Sequence, residues 1–420
     1  MRRLDGRKIN RIHPNHPYME NTGRRSFIKT GIVSLSGVMI PGALAKLNLA
    51  GCAPVHEGRE KFIDKALGCF MGAAIGDSMG GPVECQHYER IRKYAGDFTD
   101  LLPFGKPVSV WDPPSEGWAQ RSDPGTITDD TYIRMDLLEF FLHAEAPYTA
   151  EKLAAYLLEN SDFFGWWDPP LNQMKRIQKG ELLAEDAGRY MEIQGGGGGW
   201  WQPVSIMHAG NVEEASRVAA NLCSIWKTGL ARDILSSVVA GQSAAFREDA
   251  NIDSIVETVL ADSGEKAKKL FERAVHIARE SGSADELYEN LYRHASVSNS
   301  THTGEFNSLE GPVPPVEEVQ YSEGMCSSIA FAEQQPWALA YLVYGDGDPE
   351  KTLLTAVKGG RDADSIATNT ASWLGALHGL EIWPEKWTET VRKANLIDFD
   401  LLEVGQELAE TALERGYLDI

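Results

Sequence analysis

The sequence predicts an all-α fold, one helical globule from residue 61 onward, on three observations. Apolar residues recur at helical spacing through 131–144, 213–224, 255–280 and 349–358, each stretch with a charged opposite face. Alternating β-branched runs, the mark of half-buried strands, are scarce. No segment repeats at a fixed period, which excludes a solenoid. With 420 residues, 43% of them hydrophobic, the chain can bury one large core or two smaller ones.

The first fifty residues differ from the rest. Residues 23–31 read GRRSFIKTG, and the apolar stretch 32–44 ends in Leu-Ala-Gly-Cys at 49–52. Paired arginines before a weakly apolar stretch predict a twin-arginine export signal, and the ending resembles a lipobox that leaves Cys52 lipidated. The stretch is broken by Gly37, Pro41 and Gly42 and is too short to span a bilayer comfortably. The expected organisation is therefore a signal over 1–51, a linker over 52–60 and a catalytic domain over 61–420. Either Met1 or Met19 serves as the start. The expected location is periplasmic or at the cell surface, with membrane contact only through a lipid anchor at Cys52.

Charge narrows the partners. The chain carries −21, and removing 1–51, with nine Lys/Arg and two Asp/Glu, leaves −28. Phosphate backbones would be repelled, so nucleic acid is excluded as a partner. Cys69, Cys85, Cys223 and Cys326 show no C-x-x-C spacing, so buried thiols rather than a disulfide framework are expected. His87, His143, His208, His294 and His378 form no zinc pattern and are read as structural.

In chain order, the helical stretches are separated by three loops, at 103–125, 188–202 and the polar, proline-bearing 298–319. Two helices carry stripes without bulk. Gly68, Gly72, Gly76 and Gly80 fall every four residues, as do Ala367, Ala371, Gly375 and Gly379. Each glycine costs a helix about 1 kcal/mol relative to alanine, a cost that close helix–helix approach explains. The two helices are expected deep in the fold, packed on each other.

The chemistry lies in carboxylates. Thr128, Asp129 and Asp130 stand immediately before one amphipathic helix; Asp362, Asp364 and Ser365 stand before the second small-residue helix. These are hard oxygen donors of the kind that Mg2+, Mn2+ or Ca2+ prefer. Either segment alone reads as ordinary N-capping. Together they favour a cation, because adjacent aspartates repel one another and capping does not require the second.

GCFMGAAIGDSMGGPVE, TDDT and GGRDADSIATNTASWLGALHG resemble, in order and separation, the three signature segments of the ADP-ribosylglycohydrolases, including the dinitrogenase reductase-activating glycohydrolase type. The resemblance runs from about residue 61 to 379. It implies an all-α globule with a binuclear metal cleft holding two divalent cations, Mg2+ or Mn2+. The matching ligands are Thr128, Asp129, Asp130, Asp362, Asp364 and Ser365. Glu84 matches the glutamate beside the metals and is the candidate general base or gate, with Asp364 as the alternative. Asp77 matches a position read equally well as a helix-terminus hydrogen-bond partner.

The chain departs from the family pattern twice. Where relatives carry a loop contacting the diphosphate or distal ribose, it reads GGGGGWWQPVS, 195–205. Gly197 and Gly199 are candidates to bring backbone amides to an anion, and Trp200 and Trp201 to stack on a sugar or base; two core aromatics anchoring a loop is the other reading. Where relatives have a Thr-His pair, the chain has SIWKTG, with Lys227 either pairing a phosphate or standing as a surface charge. Trp111, Trp118, Trp166 and Trp167 either build an aromatic rim or pack in the core.

The function implied is metal-dependent hydrolysis of an N- or O-glycosidic bond at the anomeric carbon of ADP-ribose or a ribose-like sugar, on a small molecule or glycan. Two alternatives stand beside it: an exported glycoside or nucleoside hydrolase acting on scavenged glycans, and a non-catalytic sugar- or nucleotide-binding lipoprotein. A purely structural relative would have lost the ligand carboxylates, which are present here.

Overall fold

Two helices rich in small residues form the centre of the molecule. The computed structural model describes residues 53–113, 119–191, 198–296 and 331–420. Helix α1 (Ala53–Gly80) and helix α14 (Ala363–His378) run against each other along their glycine and alanine stripes. A β-carbon added at Gly76 would lie 2.5 Å from the Ala367 carbonyl carbon, and one at Gly68 would lie 2.6 Å from the Gly375 carbonyl oxygen. Backbone therefore packs on backbone, which only residues lacking a side chain permit.

Around this pair lie α2 (Tyr88–Ala95), α3 (Asp129–His143), α4 (Ala150–Asn160), α5 (Asp168–Gln178), α6 (Gln202–Met207), α7 (Val212–Leu222) and α8 (Gly229–Ala244). Then come α9 (Ile252–Asp262), α10 (Glu265–Glu280), α11 (Ala284–His294), α12 (Phe331–Gly345), α13 (Pro349–Gly359), α15 (Glu385–Asn395) and α16 (Leu401–Arg415). One hydrophobic core joins residues from α1 through α16, as the all-α expectation requires. None of the described helices is long and apolar enough to cross a membrane.

The structure differs from the sequence expectations in four places. Residues 53–60, expected as linker, already belong to α1; the proline at position 54 falls in the first turn, where its missing N–H costs nothing. The stretch 255–280 is two helices, because Gly264 breaks it and its N–H is taken by the Asp233 carboxylate at 3.1 Å. Helix α3 lacks the charged solvent face expected of it: its residues from Asp129 to Leu138 are all buried, Arg134 and Asp136 included. Asp136 accepts from Trp166 Nε1 at 2.7 Å and Ser161 Oγ at 2.8 Å, which satisfies its buried charge.

The fourth concerns sulfur. Cys69 and Cys223 are buried free thiols as expected, whereas Cys85 is disulfide-bonded, its partner lying outside the described residues. A bond to a cysteine remote in sequence leaves no trace in spacing, so it escapes a search for close pairs. The signal segment with Cys52, the loop 298–319, Cys326, Trp118 and Gly197 also lie outside the described residues.

A two-residue strand pair completes the frame. Strand β1 (Gln86–His87) pairs antiparallel with β2 (Gly360–Arg361), Gln86 opposite Arg361 and His87 opposite Gly360. Cys85 and Arg361 both adopt left-handed backbone, with φ of 61° and 66°, and the Cys85 N–H donates to the Arg361 carbonyl at 2.6 Å. Such conformations in non-glycine residues cost about 1–3 kcal/mol each and persist where surroundings enforce them. Here the Arg361 side chain is fully buried in an ion pair with Glu333 at 3.0 Å.

Candidate metal centre and active site

The strand pair determines where two carboxylates go. Glu84 precedes the Cys85 turn into β1, and Asp362 follows β2 directly, so one backbone hydrogen bond sets their spacing. Asp364 lies one residue into α14, whose start abuts the end of α1: a β-carbon at Gly80 would overlap the Asp364 backbone. The result is a buried trio in which one carboxylate oxygen from each of Glu84, Asp362 and Asp364 lies within 4.8 Å of the others.

The second acidic segment meets the first here. Thr128 is the N-cap of α3, and its Oγ1 lies 3.2 Å from Asp364 Oδ2. Ser365 Oγ donates to Asp130 Oδ2 at 2.7 Å. Thus Thr128 and Asp364, 236 positions apart, join Asp130 and Ser365, 235 apart, in one cluster. Asp129 joins it electrostatically: burial raises its carboxyl, and Asp130 and Asp364 raise it further.

An excess of buried negative charge is the site's main electrostatic property. Burial raises Asp130, with Asp364 and Asp77 adding to it, and burial raises Asp364, with Asp362 adding to it. Asp362 is pushed up to about 7, mainly by burial and then, among the raising effects, by Asp130 and Asp129. The four buried aspartates Asp129, Asp130, Asp362 and Asp364 disfavour their own ionisation unless a cation or protons neutralise them. All are hard oxygen donors, so the set fits a divalent cation of the Mg2+ or Mn2+ type.

Asp77 serves the site from below. Its carboxylate accepts from Thr128 N at 3.1 Å, Thr128 Oγ1 at 2.6 Å and Thr131 N at 3.2 Å, and also from Thr131 Oγ1. It therefore takes the unpaired N–H groups at the start of α3 and holds the Thr-Asp-Asp segment in place. This is the helix-terminus role weighed for it above.

Two buried polar residues went unnoticed in the sequence. Arg134 donates to Gln202 Oε1 at 3.3 Å, to the Gly199 carbonyl at 3.4 Å and to Thr131 Oγ1, and its charge faces Asp77 and Asp130. Asn369 donates to the Gly198 carbonyl at 2.8 Å and to Gln335 Oε1 at 3.0 Å, and accepts from Gln242 at 2.9 Å. The signal was spacing: Arg134 is four residues past Asp130, and Asn369 four past Ser365, so each shares its ligand's helix face.

The expected substrate residues divide. Gly199 is at the centre, since a β-carbon there would overlap the Asp130 carboxylate. Trp200 and Trp201 are 2% and 0% exposed, and both pack against Trp226 with ring centroids at 5.9 and 6.3 Å. They are core aromatics anchoring the loop, and the stacking role weighed for them has no exposed face to use. Lys227 is no surface charge: it is 2% exposed, burial lowers its ammonium to about 7, and Asp362 and Asp130 act on it. Of the aromatic-rim candidates, Trp111 reaches the cluster, donating Nε1 to Glu84 Oε2 at 3.1 Å. Trp166 packs in the core beside Trp226.

Comparison with known proteins agrees with this geometry. The family model for ADP-ribosylglycohydrolase matches residues 58–417. An ADP-ribosylhydrolase ARH3 of Bos taurus is 25% identical over 368 residues, covering 83% of this chain and 93% of that protein. An uncharacterized protein of Archaeoglobus fulgidus is 25% identical over 344 residues, covering 80% and 94%. A solved ADP-ribosylglycohydrolase-related protein complex shares the fold at a TM-score of 0.50 and 17% identity, covering 84% of this chain and 99% of that one. With the buried acidic centre where the three signature segments meet, and a family match over most of its length, this chain belongs to the ADP-ribosylglycohydrolase family.

Proposed function

We propose that the protein hydrolyses the glycosidic bond at the anomeric carbon of ADP-ribose or a ribose-like sugar, in a metal-dependent reaction. The observation that carries this reading is the convergence of Glu84, Asp362 and Asp364 within 4.8 Å, buried and joined to the Thr128–Asp130 segment. Thr128, Asp129, Asp130, Asp362, Asp364 and Ser365 would hold one or two cations, with Glu84 beside them. Bound Mg2+ or Mn2+ would supply positive charge that orients vicinal ribose hydroxyls and acidifies a nearby water.

The chain's own residues do the rest. The Glu84 carboxylate, oriented by Trp111 Nε1, takes the proton from the attacking water; Asp364 is the alternative base. The acidic wall stabilises the positive charge that develops on the sugar as the bond breaks. The Gly198–Gly199 backbone, fixed by Asn369 and Arg134, positions the loop that meets the substrate. Export through the twin-arginine route, with Cys52 lipidated, belongs to the same reading and places the enzyme on scavenged ADP-ribosyl compounds, nucleosides or ribose-like glycans. Turnover of ADP-ribosyl-arginine, O-acetyl-ADP-ribose, nucleosides and ribofuranosides with and without metal tests it. Metal binding without turnover on any of them favours the non-catalytic receptor.

A further inference from the structure

A cavity of about 530 Å³ opens between α2, α11 and α13, with no residue of the acidic centre in its lining. That volume is in the range of small-ligand sites. In a chain carrying −21, three cations, Arg92, Lys351 and Lys358, line it beside two carboxylates, Asp97 and Asp285. Half-buried Tyr88 lines it too, its ring packed on buried Tyr288 with centroids 5.4 Å apart and planes inclined by 34°. Two of the cations pair with these carboxylates, Arg92 with Asp285 and Lys358 with Asp97. These carboxylates are 69% and 92% exposed, so the pairs are screened by solvent and readily exchanged for a stronger anion.

The geometry points to a binding site for a small phosphate monoester carrying a ring, the phosphate on the cations and the ring on Tyr88. A phosphate dianion meets the three cations with more charge than either carboxylate, and a sugar or base face packs on an aromatic surface. The site is placed to reach the acidic centre. Helix α2 starts where β1 ends, and α13 ends where β2 starts, so the two cavity walls grip the strand pair that spaces Glu84 from Asp362. The floor continues the link: Tyr88 contacts Tyr292 at 5.2 Å, and the Arg361 guanidinium lies 4.6 Å from the Tyr292 ring centroid. A ligand that draws α2 and α13 together acts on that pair.

Calorimetric titration of the purified protein at low salt, with ribose 5-phosphate, AMP and inorganic phosphate as separate probes, tests this. Saturable binding of at least one ester is expected, weakened at least tenfold in Arg92→Glu/Lys358→Glu and in Lys351→Glu, and kept in Asp364→Ala. The stronger ester identifies whether Tyr88 prefers a sugar or a base. No ester binding, binding unchanged by charge reversal, loss in Asp364→Ala, or inorganic phosphate binding as tightly as both esters would overturn the assignment. None of these outcomes depends on whether the acidic centre hydrolyses anything.

Discussion

Gly199 and Asp130 are in such close apposition that the carboxylate of one occupies the space a side chain of the other would need. The glycine run before the two tryptophans thus has a steric reason at this position at least. Gly199→Ala is expected to displace Asp130 and lower kcat on the order of 100-fold, as misplacement of a catalytic group by about an ångström does. Far-ultraviolet circular dichroism should stay unchanged; an alanine variant with full activity would mean the carboxylate need not sit where it is found.

Asp77 should act on stability as well as activity. Asp77→Ala leaves the Thr128 and Thr131 donors buried without their acceptor, a loss of about 3 kcal/mol. Chemical denaturation measures it. Asp77→Asn keeps an acceptor oxygen and should lose less.

The α1–α14 contact admits no added bulk. Gly76→Val drives a side chain into the Ala367 carbonyl, and overpacking against backbone should cost about 3 kcal/mol or more. The matching control is Gly58→Ala, where no heavy atom lies within 4 Å and thermal stability should hold.

The acidic centre without metal should lose its share of stability as pH rises. The folded-state pKa of Asp362 lies above its ordinary value of 3.8, at about 7, and Asp129, Asp130 and Asp364 are raised too. At these carboxylates the native state binds more protons than the unfolded one between about pH 4 and 7, so their contribution to the free energy of unfolding falls through that window. His87 and His208, both lowered by burial from 6.5 to about 4, act in the opposite sense below pH 6.5, with or without metal. The effect of the acidic centre is therefore read as the Tm gained on adding Mg2+ or Mn2+, which replaces the protons: it should be roughly 5 °C or more larger at pH 8 than at pH 5. A gain no larger at pH 8 would show that these carboxylates are neutralised in some other way.

What the sequence made legible follows from what leaves a local trace. Thr128-Asp129-Asp130 and Asp362-x-Asp364-Ser365 stand at helix starts, where capping residues are conspicuous, and the stripes at Gly68–Gly80 and Ala367–Gly379 repeat every four residues. Both sets meet as expected. Arg134 was hidden because an arginine on an amphipathic helix normally marks the solvent side, whereas α3 is enclosed all round at that level. For Lys227 the sequence left a phosphate partner and a surface charge both open, because what encloses it, the Gly188 backbone with Asp362 and Asp130 acting on it, comes from distant segments. The Cys85 disulfide left no trace because its partner is not nearby in sequence. Trp200 and Trp201 face the core because Trp226, from another segment, closes over them.

The most direct measurement is metal-dependent release of free reducing sugar from ADP-ribosyl-arginine and its analogues, by the wild-type protein and Asp364→Ala, alongside metal binding by calorimetry. The account predicts turnover that requires Mg2+ or Mn2+ and falls about 10³-fold in Asp364→Ala together with metal affinity. Full activity in Asp364→Ala, or undiminished turnover by wild-type protein in chelator, would contradict it.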